Sequence, residues 1–201
     1  MYAVTNDTQR SFTDPSQISS NRHIHVPAGS VGARETSCTI TRKQDFINAM
    51  SAAVAGVNLI TTDGRAGRFG VTVSAMCSVS AEPPMLLACI NRRSPVCSAI
   101  MSNQVYCVNV LSTRQRNLAD SFAGRTGQAK PYDFSSGKWE RSAIAVPRLA
   151  DATSTFDCVL EHAYDAGSHT IFVGRVTAAT EGNDSPLLYT DRNYGFPCRW
   201  E

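Results

Sequence analysis

The polar and apolar positions of this chain change period several times, and residues 68–91 carry the clearest signal. They read R-F-G-V-T-V-S-A-M-C-S-V-S-A-E-P-P-M-L-L-A-C-I-N. Val71, Val73, Ala75, Cys77 and Val79 fall on one face, and Thr72, Ser74, Ser78 and Ser80 on the other, with Met76 the exception. Successive side chains of a strand point to opposite faces, so this period of two predicts a half-buried β-strand. Its second face is a ladder of small hydroxyls rather than Lys and Glu. Small residues let a flat ligand or a phosphate come close to the backbone, where hydroxyls and amide N–H groups hydrogen-bond to it. After Pro83-Pro84, residues 85–90 are a continuous apolar run, which predicts a strand covered on both faces. The polar loop Asn91-Arg92-Arg93-Ser94-Pro95 then offers a place to meet an anion. The same pattern also fits an ordinary core hairpin with a solvated turn.

Upstream, Thr41-Arg42-Lys43-Gln44 matches a capping box. Phe46, Ile47, Met50 and Val54 follow at three- and four-residue steps, predicting a short amphipathic helix that ends at Gly56. Residues 57–62 are predicted as a strand, and Asp63-Gly64-Arg65-Ala66-Gly67 as the turn into the central strand. Downstream, 95–101 predicts a brief helix and 105–111 a strand. Ser112-Thr113-Arg114-Gln115 repeats the capping signature before a helix through Leu118, Ala119 and Phe122. That helix runs into Phe122-Ala123-Gly124-Arg125-Thr126-Gly127, which reads either as a phosphate cradle or as a plain Gly C-cap. A long irregular connection, 125–151, carries Pro131, Tyr132, Trp139 and Pro147, and loops of this length are usually functional or lie over the domain body. Phe156, Cys158, Leu160, His162 and Tyr164 alternate in a strand that turns at Asp165-Ala166-Gly167-Ser168. Residues 169–180 return as its partner with Ile171 and Val173 inward, and 187–190 is the last strand. Five to seven strands with accessory helices predict a mainly β fold, a closed or nearly closed antiparallel barrel.

Length and charge narrow the function classes. The 201 residues suit one domain with a tail: a flexible polar extension over 1–36 and a folded domain over 37–201. Net charge is +2 and no basic run exceeds two residues, which argues against nucleic acid as a partner. No apolar stretch approaches membrane-spanning length, and the first residues lack the hydrophobic core of a signal peptide, so a cytoplasmic location is expected. The seven cysteines are odd in number and contain no C-x-x-C, which fits buried thiols in a reducing compartment. Cys77 reads as a small core hydrophobe or as a residue against a cofactor. His23 and His25 have no third ligand nearby, so no metal site is expected. Dinucleotide-fingerprint, Walker, zincin and nucleophile-elbow motifs are all absent. His169 stands in a turn–strand context that suits either a structural or a functional histidine.

Several runs, taken together and in order, resemble the flavin reductase family. They are Ala55-Gly56-Val57-Asn58-Leu59-Ile60-Thr61-Thr62, then 70–80, Pro83-Pro84, Cys89-Ile90-Asn91-Arg92-Arg93-Ser94 and Asn109-Val110-Leu111. Phe122-Ala123-Gly124, Gly167-Ser168-His169-Thr170 and Leu187-Leu188-Tyr189 complete the set, which spans 41–195. The resemblance extends to the small reductase components of two-component flavin monooxygenases acting on 4-hydroxyphenylacetate and other phenols. It implies a Greek-key split β-barrel that binds FMN or FAD, usually as a homodimer. It also implies the reaction: NADH or NADPH reduces the flavin, which passes to a large monooxygenase component.

By the same resemblance, Thr72, Val73, Ser74, Ala75, Cys77, Ser78 and Val79 line the flavin ring and ribityl chain, with Val57 and Asn58 approaching from the preceding strand. Asn91, Arg93 and Ser94 hold the ribityl or phosphate end, which Phe122, Ala123 and Gly124 close. Gly167, Ser168 and His169 match the turn that contacts nicotinamide, with Tyr189 and Tyr194 near the same site and His169 in the catalytic position. Two departures stand out: Asn58 replaces a common Thr, and Met76-Cys77 replaces an aromatic-plus-small pair. Hydride transfer between nicotinamide and flavin needs no protein acid or nucleophile, so a site of backbone, hydroxyls and small residues is consistent with it. Two other readings share these residues: a bound flavin reducing a corrinoid or ferric complex, and a flavin-binding protein without turnover.

Overall fold

The computed structural model describes residues 41–124 and 133–198, which belong to one compact unit, Thr41–Glu201. The polar extension, His23, His25, Cys38, the Arg125-Thr126-Gly127 part of the glycine-rich run, Pro131 and Tyr132 lie outside the described residues. In chain order the elements are α1 (Lys43–Ser51), β1 (Ala55–Gly56), β2 (Asn58–Thr62), β3 (Phe69–Val73), β4 (Met76–Ala81), β5 (Pro84–Asn91) and α2 (Pro95–Asn103). Then come β6 (Val105–Val110), a 3-10 turn (Thr113–Gln115), α3 (Arg116–Phe122), β7 (Trp139–Arg141) and β8 (Pro147–Leu149). The chain closes with β9 (Ser154–Ala166), β10 (His169–Glu181), β11 (Leu188–Thr190) and β12 (Asn193–Gly195).

Seven antiparallel strands form the main sheet in the order β3-β2-β6-β9-β10-β5-β4. β3 and β4 therefore sit on opposite edges, yet only Ser74 and Ala75 separate them in sequence. Seven strands laid flat would hold these edges about 29 Å apart, whereas so short a link reaches about 11 Å at most. The sheet must roll to bring its edges together. The Ala75 carbonyl accepts the Cys89 N–H at 3.0 Å, so the chain leaves the β2 ladder and joins β5 within two residues. Among the described residues no ladder pairs β3 with β4, and the roll is bridged by chain rather than closed by hydrogen bonds. The mainly β, antiparallel architecture with accessory helices matches the sequence expectation. Two small sheets complete it, β1-β11-β12 and β7-β8.

This bend corrects the reading of 71–80 as one half-buried strand. Two strands on opposite edges replace it, and Ala75, Cys77 and Val79 are exposed rather than in the core. Edge β4 has a hydrogen-bonded neighbour on one side only, and Cys77, Ser78 and Val79 along it stay exposed. In β5 the expected double cover is graded: Leu86, Ala88 and Ile90 are fully buried, and Met85, Leu87 and Cys89 are half-buried. In β10, Thr170, Phe172 and Gly174 form the buried face, while Ile171 and Val173 are half-buried.

β2 is buried along its whole length, because each of its faces meets a separate core. Ile60 joins Leu86, Ile90, Ile100, Tyr106 and Phe172 inside the roll. Leu59 joins Val57, Leu118, Phe122 and Leu149 outside it, beneath α3 and the β7–β8 hairpin. That hairpin lies within the connection expected to be irregular. Its Trp139 and neighbouring Phe134 meet Phe122 edge-to-face with centroid separations of 6.0 and 5.0 Å. The second capping signature holds, since Gln115 Oε1 accepts the Ser112 N–H at 2.8 Å. The first does not: Arg42, not Thr41, caps α1, with no side-chain bond. The amphipathic α1 is present, but none of its residues is buried.

Cys77, Cys89, Cys97, Cys107 and Cys158 are free thiols; Cys107 and Cys158 are buried, and Cys77 is exposed, as is Cys198. No described helix is long and apolar enough to cross a membrane. Among the described residues no group of three His, Cys, Asp or Glu is placed to hold a metal ion.

Candidate functional site

Where β3 leaves its edge, the chain opens a cleft of about 130 Å³ lined by Val57, Thr72, Val73, Ser74, Ala123, Tyr189 and Tyr194. Each wall follows from local structure. β2 pairs with β3, setting Asn58 opposite Val73. Thr72 is anchored across to α3, its Oγ1 donating to the Ala119 carbonyl at 2.8 Å. Ala123 follows the last turn of α3, which Gly124 ends at φ 70°. Tyr189 and Tyr194 face each other across the β11–β12 pair and meet edge-to-face with centroids 5.4 Å apart. Tyr194 also donates its phenol to Asp120 Oδ1 at 2.8 Å, and the Arg116 guanidinium lies 5.3 Å from its ring centroid.

The cleft lining holds no charged side chain. Beside it, Asn58 is buried and donates Nδ2 to the Gly56 carbonyl at 3.2 Å, while its Oδ1 has no hydrogen-bond partner. A buried acceptor left unpaired is costly unless a ligand N–H or water reaches it. These are features a flat heteroaromatic ring can use: aromatic walls, hydroxyls and an unpaired acceptor.

A second cluster sits at the same end of the sheet. Ala75 bonds to Cys89, so Ser74 leaves β4 at the level where β5 reaches Ile90 and Asn91. There His169 opens β10 opposite Asn91. Asn91 Oδ1 accepts the Arg93 N–H at 2.9 Å, and Ser94 caps α2. The Arg92 N–H donates to the Ser168 carbonyl at 3.0 Å, joining this loop to the β9–β10 turn. Gly167 takes φ 58°, a conformation glycine adopts at no steric cost. Ser168 Oγ and His169 Nδ1 are 2.9 Å apart. The Arg93 side chain is exposed.

The structure thus sorts the sequence candidates into groups. Val57, Thr72, Val73, Ser74, Ala123, Tyr189 and Tyr194 share the cleft. Asn91, Arg93, Ser94, Gly167, Ser168 and His169 form the adjoining turn cluster. Cys77, Ser78 and Val79 are exposed on β4 outside the cleft, and Ala75 marks the bend. Phe122 is fully buried in the outer core. Cys77 does influence one neighbour: burial, reinforced by Cys77, pushes the Cys89 thiol above its ordinary range. Sequence reasoning missed Arg116 and Asp120. Arg116 and Asp120 stand four apart on one helix face, but nothing local ties them to Tyr194.

A rolled antiparallel sheet with an uncharged, aromatic-walled cleft beside a turn carrying Arg92 and Arg93 has the layout of a site for a planar, anionic cofactor. The chain belongs to the flavin reductase like domain family, which matches residues 50–196. It is 46% identical over 155 residues to the FMN reductase (NADH) RutF of Variovorax paradoxus (strain S110), covering 76% of this chain and 84% of that one. Among solved structures, flavin reductase PheA2 matches with a TM-score of 0.72 and 31% identity, over 79% of this chain and 100% of that one. BorF, the flavin reductase component of a bacterial two-component tryptophan halogenase, matches with a TM-score of 0.71 and 28% identity, over 79% of this chain and all 100% of BorF. The family expected from sequence is borne out, and the chain is a flavin reductase.

Proposed function

We propose that this chain oxidises NADH, passes the hydride to FMN or FAD bound transiently in the cleft, and releases the reduced flavin. The observation that carries this is the cleft itself, which offers aromatic walls and hydroxyls but no charged residue. Its 130 Å³ lies below the roughly 300 Å³ at which ligand pockets begin. It seats part of a flavin rather than enclosing one, which favours a diffusing substrate over a permanently held group.

Hydride passes from the nicotinamide to the flavin without a protein acid or nucleophile, so the protein supplies binding and orientation. Tyr189 and Tyr194 present ring faces to the isoalloxazine, and Ser74 and Asn58 hydrogen-bond its polar edge. Arg93 takes the flavin phosphate, as a guanidinium suits a phosphate. His169, with Ser168 and Gly167, orients the nicotinamide. The receiving partner is a large monooxygenase component acting on a phenol-like aromatic. The working form is a cytoplasmic homodimer with a closed split-barrel fold.

The test is NADH oxidation, followed by absorbance, with FMN and FAD added in turn to the purified protein. Saturable turnover that requires added flavin supports the proposal. Tight flavin binding without NADH oxidation would overturn it in favour of a flavin-binding protein.

A further inference from the structure

Thr170 follows His169 on β10 and is 5% exposed. Successive side chains of a strand alternate, so Thr170 shares the buried face of Phe172 and Gly174, and His169 lies on the other face. The Thr170 hydroxyl joins two neighbours. Its Oγ1 donates to Asp165 Oδ1 at 2.8 Å and accepts from Cys97 Sγ of α2 at 3.4 Å. Asp165 stands directly opposite Thr170 in the β9–β10 ladder, one pair in from the Ala166–His169 pair that borders the turn.

One carboxylate thereby reaches two segments, because Asp165 Oδ2 also stands 3.4 Å from Arg92 Nη2 in the loop after β5. Both partners of that ion pair are more than half exposed, and such pairs contribute little by themselves. The Thr170 bond is the sheltered one, and it ends on a charged acceptor, which strengthens it. The turn itself has no interior anchor: Ala166, Gly167 and Ser168 are exposed and His169 is half-buried. Thr170 is the first residue of β10 to be buried, so its bonds set the level at which His169 leaves the turn.

We infer that Asp165 and Thr170 are positioning residues: their cross-strand bond holds the β9–β10 turn against loop 91–94 and α2, fixing the His169 ring and, through it, the nicotinamide. This rests on the reading of His169 as the residue that orients the nicotinamide. Thr170 lies on the opposite face of β10 from His169, so its effect passes through the backbone of the turn rather than by contact with the dinucleotide. Directly opposed pairs are the unit of hairpin stabilisation, and this pair is the one next to the turn.

Thr170→Val removes the hydroxyl and keeps the shape, and Asp165→Ala removes the acceptor at an exposed position. Each should raise the NADH KM about threefold, the loss of one hydrogen bond, with kcat and flavin KM unchanged. Thr170→Ser restores the hydroxyl and Asp165→Asn an acceptor, and both should return the NADH KM to that of the unsubstituted chain. The double variant Thr170→Val/Asp165→Ala should be no worse than either single one, since both break the same bond. The ring gives a second readout by proton NMR. The His169 Hε1 signal, assigned by its loss in His169→Ala, should shift in Thr170→Val and Asp165→Ala and stay in place in the two conservative variants. An NADH KM unmoved in Thr170→Val and Asp165→Ala, where His169→Ala raises it, overturns the inference. A parallel rise in NADH and flavin KM, or no recovery in Thr170→Ser and Asp165→Asn, also overturns it and marks a general loosening of the fold. A His169 signal that shifts while the NADH KM is unmoved in every variant, His169→Ala included, keeps the tie to the ring and sinks the nicotinamide reading instead.

Discussion

Tyr194, in the last described strand, donates its phenolic hydrogen to Asp120 on α3 at 2.8 Å, across 74 residues of sequence. The bond ties the small β1-β11-β12 sheet to the helix that also anchors Thr72. With Tyr189 against one side of the ring and Arg116 over its face, Tyr194 becomes a fixed wall of the cleft.

Tyr194→Phe keeps the ring and removes the bond. It should cost about 1 kcal/mol of stability, read from the denaturant midpoint, and raise the flavin KM more than it lowers kcat. Asp120→Asn retains an acceptor and should behave nearly as the unsubstituted protein. Equal effects of the two variants would refute a positioning role for the bond.

His169→Ala should raise the NADH KM about fivefold, the loss of one hydrogen bond, with flavin KM unchanged. Arg93→Ala should do the reverse, weakening flavin and sparing NADH. Steady-state titration of both substrates in both variants checks the division. Crossed or equal effects would show the assignments to be wrong.

A side chain at Gly174 has no room. A Cβ there would lie 2.8 Å from Tyr106 Cζ and 2.9 Å from Cys158 Cβ, inside the roll where Tyr106 is fully buried. Gly174→Ala should therefore destabilise the fold by about 1–3 kcal/mol through overpacking. Thermal unfolding of this variant reads it out, and a midpoint equal to that of the unsubstituted protein would contradict the overpacking.

Burial pushes the Cys158 thiol up to about 12 from its ordinary 9.0. Burial, joined by the charge of Asp157, also raises Cys107 well above that value. The folded state then holds protons that the unfolded state releases, so stability is full below pH 9 and falls as pH rises from about 9 towards 12. The denaturant midpoint should be level through neutral pH and drop in that alkaline window. Cys158→Ala should flatten part of the drop. A midpoint independent of pH up to 12 contradicts the assignment.

Asp157 is buried on β9, with Arg148 Nη1 of β8 at 4.0 Å. Arg148 also pairs with Glu140 of β7 at 3.2 Å. Arg148→Met should cost about 3 kcal/mol by leaving a buried carboxylate without its cation. Adding Asp157→Asn should recover much of the loss. If the double variant is no more stable than the single one, the penalty lies elsewhere.

What the sequence determined is what local chemistry and alternation can encode. Turn glycines, the Ser112–Gln115 cap, and the presence of the β6, β9 and β10 strands all describe neighbours within a few residues, and they hold in the structure, although the inward face of β10 is Thr170, Phe172 and Gly174 rather than Ile171 and Val173. The ordered motifs, each weak, also sufficed for the family. What only tertiary structure decided is where those elements meet. The 71–80 alternation looks like one strand because period two continues through Ser74 and Ala75. The bend there follows from a sheet whose seven strands must roll for two neighbours in sequence to sit on opposite edges. Exposure of Cys77 and burial of Phe122 follow from that roll, not from their own hydrophobicity. The Tyr194–Asp120 bond joins residues 74 positions apart, and no periodicity can encode a partner at that distance.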